Sequence, residues 1–242
     1  DGAVDTAKNR ITADGIKIAL GGTSVSGKAA WLGTAADGNL TLASTDLGEI
    51  GKLLGQDIHG VLDGQIALSA PKGKQSATVK AQLKSLTASG ATAGAATVDA
   101  SGTDLLGDDP GLAAAFAATQ IKVAGESIDH LSAKAAGTLS TLNVSVDASG
   151  PSGSVSTAAT VRAKSGETAI TLAKLDLAIN QVQARLLNPA EITLRGGEAR
   201  VANLAIGARD GTLRLDAALT EQGNSAELRL EKLPLSILDA AG

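Results

Sequence analysis

The 242-residue chain is 43% apolar but has one Trp, one Phe and no Tyr, Met or Cys. Its 21 basic and 25 acidic side chains are scattered along the sequence and give a net charge of −4, which disfavours nucleic acid as a partner because phosphate binding needs a dense basic face. Without cysteine, the chain forms no disulfide, has no thiolate nucleophile and offers no Cys ligand to a metal.

The apolar residues are almost entirely Ala, Val, Leu and Ile, and they are accompanied by 29 glycines. Large globular cores use aromatic side chains for much of their burial, so we expect a thin or repetitive core of the kind that an extended β architecture provides. The chain begins without Met, its first residues do not resemble a signal peptide, and no apolar run approaches the roughly 20 residues of a membrane span. We therefore expect an internal segment of a longer protein.

The first part of the chain predicts short antiparallel strands. Segments Arg10–Ala13 and Ile16–Leu20 flank a turn at Asp14-Gly15. Next, Thr23–Leu32 places Val25, Gly27, Ala29 and Trp31 on one side, and a further turn is predicted at Asp37-Gly38. The pattern is that of a meander of hairpins.

The clearest alternation of apolar and polar residues lies between positions 38 and 86. In Ile58–Ala70 the even positions are apolar or glycine. After a turn at Ala70–Lys74, the chain returns over Ser76–Ser85 with its apolar residues at odd positions. A period of two is typical of a β-strand with one dry and one solvated face, so these residues predict a hairpin with an apolar face and a polar face.

Three short segments predict helices. Leu47–Leu54 has apolar residues at helical spacing, with Thr45-Asp46 as an N-terminal cap and Gly55 as a stop. Gly111–Ala118 follows an Asp-Asp-Pro sequence and has Leu, Ala and Phe along one side, and Pro234–Ala240 is the last. The first of these is too short to be stable alone, so we expect it to rest against the end of a sheet.

The second half of the chain repeats the alternating pattern. Its predicted strands are Gln120–Gly125, Leu131–Leu139, Leu142–Ala148, Val155–Ala163, Ala169–Ala173, Leu175–Ile179, Val182–Leu187, Glu191–Arg195, Ala202–Ala208, Gly211–Leu219 and Ala226–Leu230. With about sixteen strands spaced about 4.8 Å apart, a single sheet would be on the order of 75 Å long. Because open sheets rarely grow so long without curling, the sequence predicts a mostly β fold: an elongated antiparallel sheet, folded so that the apolar faces of its strands face one another. It forms a single elongated segment over residues 1–242, or two repeat units at about 1–110 and 111–242.

Gly22–Lys28 matches most of a P-loop, a glycine-rich phosphate-binding turn. Position 29 is Ala where Ser or Thr would bind magnesium, and the residues after Gly22 alternate like a strand instead of opening a helix. A glycine-rich hairpin is the better interpretation.

Other candidate chemistry is equally sparse. The two histidines, His59 and His130, show no spacing that would bring them together with carboxylates. The acidic turns Asp63-Gly64, Asp108-Asp109 and Asp210-Gly211 lack the alternating acidic spacing of a calcium loop, and there is no G-x-S-x-G motif. We expect no enzyme, no metal and no cofactor.

The alternating apolar stripe has two interpretations. It could be buried against other parts of the same chain, as an ordinary core. However, Ala and Gly alternate with Leu and Val so often that two facing walls would struggle to fill the space between them, whereas protein interiors are close-packed. We therefore favour a groove that accommodates another apolar body.

Two segments suggest a family. Leu42–Gly55, which reads LASTDLGEIGKLLG, is followed by Gly60–Leu68, GVLDGQIAL. This strand, short helix and restarting strand resemble the repeating unit of TamB and other AsmA-like proteins of Gram-negative bacteria. Leu186–Ile192, Gly211–Leu215 and Leu233–Leu238 are similar to a second occurrence of that unit.

The resemblance implies a β-taco, a long sheet folded lengthwise into a trough with an apolar interior. It also implies a periplasmic segment of a protein that is anchored in the inner membrane and reaches a barrel partner in the outer membrane. The implied function is passage of phospholipid between the two membranes, or help in assembling outer-membrane proteins.

We expect the apolar residues of the predicted strands to form the walls of the groove. These residues are Leu40, Leu42, Ile58, Leu62, Ile66, Leu68, Val79, Leu83, Val144, Val146, Leu175, Leu177, Ile179, Leu204, Ile206, Leu213, Leu215, Leu228 and Leu230.

Two alternatives use the same pattern differently. A scaffold for outer-membrane protein assembly would bind unfolded barrel strands at a sheet edge. An adhesin or passenger segment would form a closed parallel β-helix, which also favours small residues but requires a fixed coil period that the irregular turn spacing does not show.

Overall fold

The computed structural model describes residues 2–5, 10–164, 166–179, 182–209 and 211–232. Within these residues the chain forms seventeen β-strands, one α-helix (α1, Gly48–Leu54) and one 3-10 turn (Pro71–Gly73). The strands are β1 Gly2–Asp5, β2 Arg10–Leu20, β3 Thr23–Leu32, β4 Ala35–Ser44, β5 Ile58–Ser69, β6 Ser76–Ala88, β7 Ala91–Thr103, β8 Gly111–Val123, β9 Glu126–Thr138, β10 Thr141–Gly150, β11 Gly153–Lys164, β12 Glu167–Ile179, β13 Val182–Leu186, β14 Ala190–Arg195, β15 Glu198–Ala208, β16 Gly211–Thr220 and β17 Gly223–Glu231.

The predicted mostly β, antiparallel architecture is confirmed, since every pairing described between strands is antiparallel. The chain divides into two compact units, Asp1–Ser132 and Ala133–Gly242, with the boundary inside β9. In the first unit, strands β1 to β8 pair in chain order. In the second unit, β10, β11 and β12 pair in order, and β15, β16 and β17 do the same.

Apolar residues of the first unit line up in rows across neighbouring strands. Leu40 of β4 lies opposite Ile66 of β5, which lies opposite Val79 of β6. A second row joins Leu62 to Leu83. Because directly opposed residues of antiparallel strands lie on the same face of a sheet, the alternation within each strand builds one continuous apolar face.

An extra residue interrupts this alternation at the same level in three adjacent strands. The extra residues are Ser85 in β6, Gly94 in β7 and Gln120 in β8, and the register between β5 and β6 shifts at Gly60, opposite Ser85. Ser85 and Gln120 have left-handed φ angles of 52° and 54°. We call this aligned row the bulge row, because bulges interrupt the alternation of side chains along a strand. The apolar side continues beyond it with Leu86.

Apolar rows also cross the second unit. Leu142 lies opposite Val161, and Val161 lies opposite Ile170. Strands β13 and β14 lie side by side with both β12 and β15, so together they act as one strand interrupted at residues 187–189. Pro189 lies within this gap, where its missing N–H costs no ladder hydrogen bond.

The predicted helix Gly111–Ala118 is wrong, because these residues form the first part of β8. Every residue from Gly111 to Thr119 pairs with a residue of β7, including Phe116 with Val98. The separate strand predicted at Gln120–Gly125 is the end of the same element, which stops at Val123. An alanine-rich segment fits helix or strand by periodicity, and pairing with the equally small residues of β7 selects the strand.

Two predicted turns are also wrong. Asp14-Gly15 forms a bulge inside the continuous strand β2, where Gly15 has φ 73°. Asp37-Gly38 lies inside β4, because the chain turns earlier, at Gly33 with φ 62°. Gly38 is required for close approach instead: a Cβ there would lie 2.8 Å from the Cα of Ala29.

Two further predictions have simpler outcomes. The strands predicted at Ala169–Ala173 and Leu175–Ile179 are parts of one strand, β12, whose pairing with β11 shifts between Ala158 and Ala159. The helix predicted at Pro234–Ala240 lies outside the described residues, as does Asp210.

Candidate functional site

The predicted wall residues of the first unit all lie on its apolar face. All are half-buried. These residues are Leu40, Leu42, Ile58, Leu62, Ile66, Leu68, Val79 and Leu83. Strand β5 shows the pattern most plainly, since half-buried and exposed residues alternate along its whole length.

The burial of this face differs from that of a closed core. Among the described residues, the buried hydrophobic ones are Leu47 and a set of alanines, and no large side chain is less than 2% exposed. A leucine covered by a second packed layer loses nearly all of its accessible surface. The larger side chains of the face are therefore shielded mainly by their neighbours within the sheet, and their outer surface stays accessible.

In the second unit the predicted residues divide into two groups. Half-buried members of the apolar rows are Val144, Val146, Leu175, Leu177, Leu204, Ile206, Leu213 and Leu215. Ile179, Leu228 and Leu230 are exposed, to 46%, 57% and 58%. Leu228 and Leu230 extend the rows of Leu215 and Leu213 onto β17.

The opposite face of the first unit is polar, as the sequence predicted. Thr41, Gln65, Lys80 and Asp99 follow one another across four strands. Lys80 Nζ lies 3.7 Å from the Asp99 carboxylate, and both side chains are exposed. Such an exposed ion pair contributes little to stability, but it keeps this face hydrated.

The two aromatic residues both lie on the apolar face, although neither was predicted to line the groove. Trp31 lies opposite Ile11 and Ala36, and Phe116 lies opposite Val98. They are 41% and 37% exposed. Alternation with Val25 indicated the side on which Trp31 lies, whereas the signal for Phe116 was masked by the alanine run around it.

Helix α1 occupies one end of the β4–β5 pair, as its sequence predicted. The Asp46 carboxylate accepts a hydrogen bond from the Gly48 N–H at 3.0 Å and lies 3.2 Å from His59 Nδ1. The Leu47 N–H donates to the Gly60 carbonyl at 2.9 Å, and the Leu47 side chain is buried. The hydrogen bond from the Gly48 backbone N–H is the largest cause that lowers the pKa of Asp46, and the hydrogen bond with the His59 side chain lowers it further.

A pair of buried hydroxyl groups lies on the apolar side at this end. Thr23 Oγ1 and Ser44 Oγ lie 2.7 Å apart, and the Ser44 hydroxyl also donates to the Asp46 carbonyl at 2.8 Å. Both residues are buried. Because these buried hydroxyl groups are hydrogen-bonded, they are tolerated at the end of the apolar rows beside the helix.

Gln75 closes the other end of β4 and β5. Its buried side chain accepts a hydrogen bond from the Ala36 N–H at 2.6 Å and donates to the Ser76 carbonyl at 2.9 Å. The backbone carbonyl of Gln75 accepts a hydrogen bond from the Leu105 N–H at 2.8 Å. The Gln75 side chain thus connects the start of β4 with the start of β6, and its backbone carbonyl holds the loop after β7.

The described residues contain no group of three or more His, Asp or Glu side chains placed to hold a metal ion. None of the helices in the described part of the chain is long and apolar enough to cross a membrane. Compared with protein-family models, with curated proteins and with solved structures, the chain shows no significant match.

Proposed function

We propose that the chain is a non-enzymatic segment of a periplasmic bridge-like protein, whose apolar groove shields phospholipid acyl chains during transport between the inner and outer membranes. The observation that supports this most is the continuous apolar face of the first unit, with Leu40, Ile66 and Val79 aligned across three strands yet only half-buried. The trough shape, the inner-membrane anchor and the outer-membrane barrel partner belong to the proposal through the resemblance to AsmA-like proteins.

The energetics favour a lipid as the occupant. Burying a methylene is worth about 0.8 kcal/mol, so two acyl chains passing through water cost on the order of 20 kcal/mol. A wall of aliphatic side chains removes most of that cost without any directional contact. The head group stays in water at the rim of the groove, so no specific polar site is required, in keeping with a face whose walls are Leu, Ile, Val and Ala.

Accessible small residues suit a flexible occupant. Gly64 lies between Leu42 and Ala81 in the middle of the face, and a Cβ there would meet only ordinary contacts, 3.5 Å or more away. Because large and small side chains alternate, the surface of the apolar face has shallow depressions. Disordered acyl chains can pack into these depressions without a fixed geometry.

Tryptophan fluorescence tests the proposal, because Trp31 is the single tryptophan. Two variants move the tryptophan to opposite faces: Trp31→Phe with Ile66→Trp, and Trp31→Phe with Gln65→Trp. Each is incubated with vesicles of phosphatidylcholine brominated on its acyl chains, and we expect their fluorescence quenching to differ. Once vesicles are removed, the tryptophan on the dry face should be quenched by co-purifying lipid, and the one on the wet face should not.

Lipid extraction and mass spectrometry of the same samples give the bound stoichiometry. Equal quenching at positions 65 and 66, or the absence of phospholipid from the recovered protein, would refute lipid binding by this face.

A further inference from the structure

The two ends of strands β6, β7 and β8 are built differently. At one end β6 turns into β7 through Ser89 and Gly90, and β8 turns into β9 through Ala124 and Gly125. All four residues have the left-handed φ angles of tight two-residue hairpins. At the other end, residues 104–110 join β7 to β8. Because both residues of a tight turn are needed to reverse the chain, only this longer connection has residues free to fold over a face of the sheet.

Leu105 of the longer connection lies on the apolar face. Gly102 belongs to the last apolar row at this end, between Ala77 of β6 and Leu112 of β8. A Cβ at Gly102 would point to the same side as these residues and would overlap the Leu105 side chain, with its Cγ 3.1 Å away. Gly102 is buried although it lies next to the end of its strand. The Leu105 side chain therefore covers this row of the apolar face.

Backbone hydrogen bonds hold Leu105 in this place. Its N–H donates to the carbonyl of Gln75, whose side chain is buried and itself hydrogen-bonded. The Gly107 N–H donates to the Asp104 carbonyl at 2.8 Å, which closes a turn around Leu105. Lys74 Nζ also lies 2.5 Å from the Asp104 carboxylate, but an ion pair this exposed contributes little. The position of Leu105 is thus fixed by the main chain as well as by its apolar contact.

The opposite end of the same rows is uncovered. The last apolar residues there, Ala88 of β6 and Ala91 of β7, lie directly opposite each other. Among the described residues, a Cβ at Gly90 or at Gly125 would meet no atom within 4 Å beyond its own chain neighbours. Small side chains and open space therefore leave the apolar face accessible from this end.

We infer that Leu105 is a positioning residue that orients bound phospholipid. Over β6–β8 the head group lies at the Ser89–Gly90 end, and the acyl chains extend along the strands towards Leu105. The inference rests on the lipid binding proposed above. A charged head group has to stay hydrated, because burying an unpaired charge is costly. In the reverse orientation the acyl chains would have to leave the apolar face across the row that Leu105 covers, whereas Ala88 and Ala91 leave room for them at the other end.

Single cysteines can report on each end, because the chain has no natural cysteine. Ser89→Cys and Leu106→Cys place a bimane fluorophore at an exposed position at either end of the rows. Each labelled protein is incubated with vesicles of phosphatidylcholine that carries a nitroxide on its head group, and the vesicles are then removed. We expect the bound lipid to quench the label at 89 at least about threefold more than the label at 106, because the hydrated head group stays at the uncovered end.

Leu105→Ala tests whether this side chain sets the orientation. Removing it should uncover the Gly102 row and let lipid bind in both directions, so that quenching at 106 becomes about equal to quenching at 89. Leu83→Ala, the same change in the middle of the apolar face, is the matched control and should keep the difference between the two labels. A merely structural role of Leu105 would lower the amount of bound lipid without changing this ratio. Circular dichroism checks that each variant is folded.

Lipid extraction and mass spectrometry on the same samples separate this inference from the proposed function. Bound phospholipid that quenches both labels equally, or a ratio that Leu105→Ala leaves unchanged, would overturn the inference while lipid binding stood. Protein recovered without phospholipid would overturn both.

Discussion

Strands β5 and β17 have the same alternating pattern of leucines and polar residues but opposite exposure. Along β5 the residues of the apolar face are half-buried throughout, whereas Leu228 and Leu230 of β17 are more than half exposed. The difference lies in their neighbours: β5 is paired on both sides, by β4 and β6, and β17 is paired by β16. Alternation decides which face a side chain joins, and the neighbouring strands decide how well it is shielded.

The largest contrast is expected between the two faces of the fully paired region. Ile66→Arg puts a cation between Leu40 and Val79 on the dry face, and a charge held against an apolar surface loses hydration. We expect it to lower phospholipid capture at least about tenfold, which corresponds to 1.4 kcal/mol. Capture is measured as the brominated lipid that co-purifies with the protein.

Lys80→Glu is the matched control on the wet face, where the side chain is exposed. We expect capture to change less than about twofold. Comparable losses in both variants would mean that lipid does not distinguish the two faces, which contradicts the proposed groove.

A smaller effect should separate β5 from β17. Ile66→Ala removes methyl groups from a side chain with neighbours on both sides, and we expect it to lower the free energy of unfolding by about 2 kcal/mol, at the low end for large-to-alanine changes because the site is only half-buried. Leu230→Ala should cost less than about 0.5 kcal/mol. Urea unfolding measures both values.

Similar costs for the two variants would show that shielding by neighbouring strands does not govern stability here. A larger cost at Leu230 would reverse the comparison altogether.

The smallest effect is expected at the helix that ends the paired region. The pKa of Asp46 is lowered in the folded chain, chiefly by the hydrogen bond from Gly48. A carboxylate whose pKa is depressed on folding stabilises the fold above its ordinary pKa, and this contribution is lost as the pH falls through the folded value. We expect the stability difference between wild type and Asp46→Ala to be present at pH 6 and to shrink towards pH 3.

Asp46→Asn separates hydrogen bonding from charge, since the amide oxygen still accepts from Gly48 but has no net charge for His59. We expect it to retain most of the stability at pH 6 with a weaker pH dependence. If the difference in the free energy of unfolding between wild type and Asp46→Ala grew on acidification, the assigned role of this carboxylate would be contradicted.

The sequence was sufficient to predict the strands between residues 38 and 86, apart from the turn at Asp37-Gly38. Period-two alternation assigned each residue there to a face, and the structure places Ile58, Leu62, Ile66 and Leu68 together as expected. Helix α1 was also predictable from its apolar spacing and its terminal Gly55, although it begins one residue later than predicted and its N-cap is Leu47, which makes no side-chain capping hydrogen bond.

The failures have a common physical cause: they depend on strand pairing, which is not local. In β8, Ala115 and Ala117 lie opposite Asp99 and Thr97 on the polar side, and only the register with β7 shows that these alanines belong to a strand. At Asp14-Gly15 a bulge and a turn require the same left-handed glycine, so the dipeptide alone does not distinguish them. The exposure of Leu228 likewise depends on which strands surround it.

The bulge row has a consequence for how such a chain can change over time. Ser85, Gly94 and Gln120 each add one residue at the same level, so β6, β7 and β8 stay in register on either side of the bulge row. Deleting Ser85 alone would exchange the dry and wet sides of one half of β6 while β7 and β8 kept theirs. The three positions therefore depend on one another: a one-residue deletion at any of them keeps the two faces continuous only if the other two strands lose a residue at the same level.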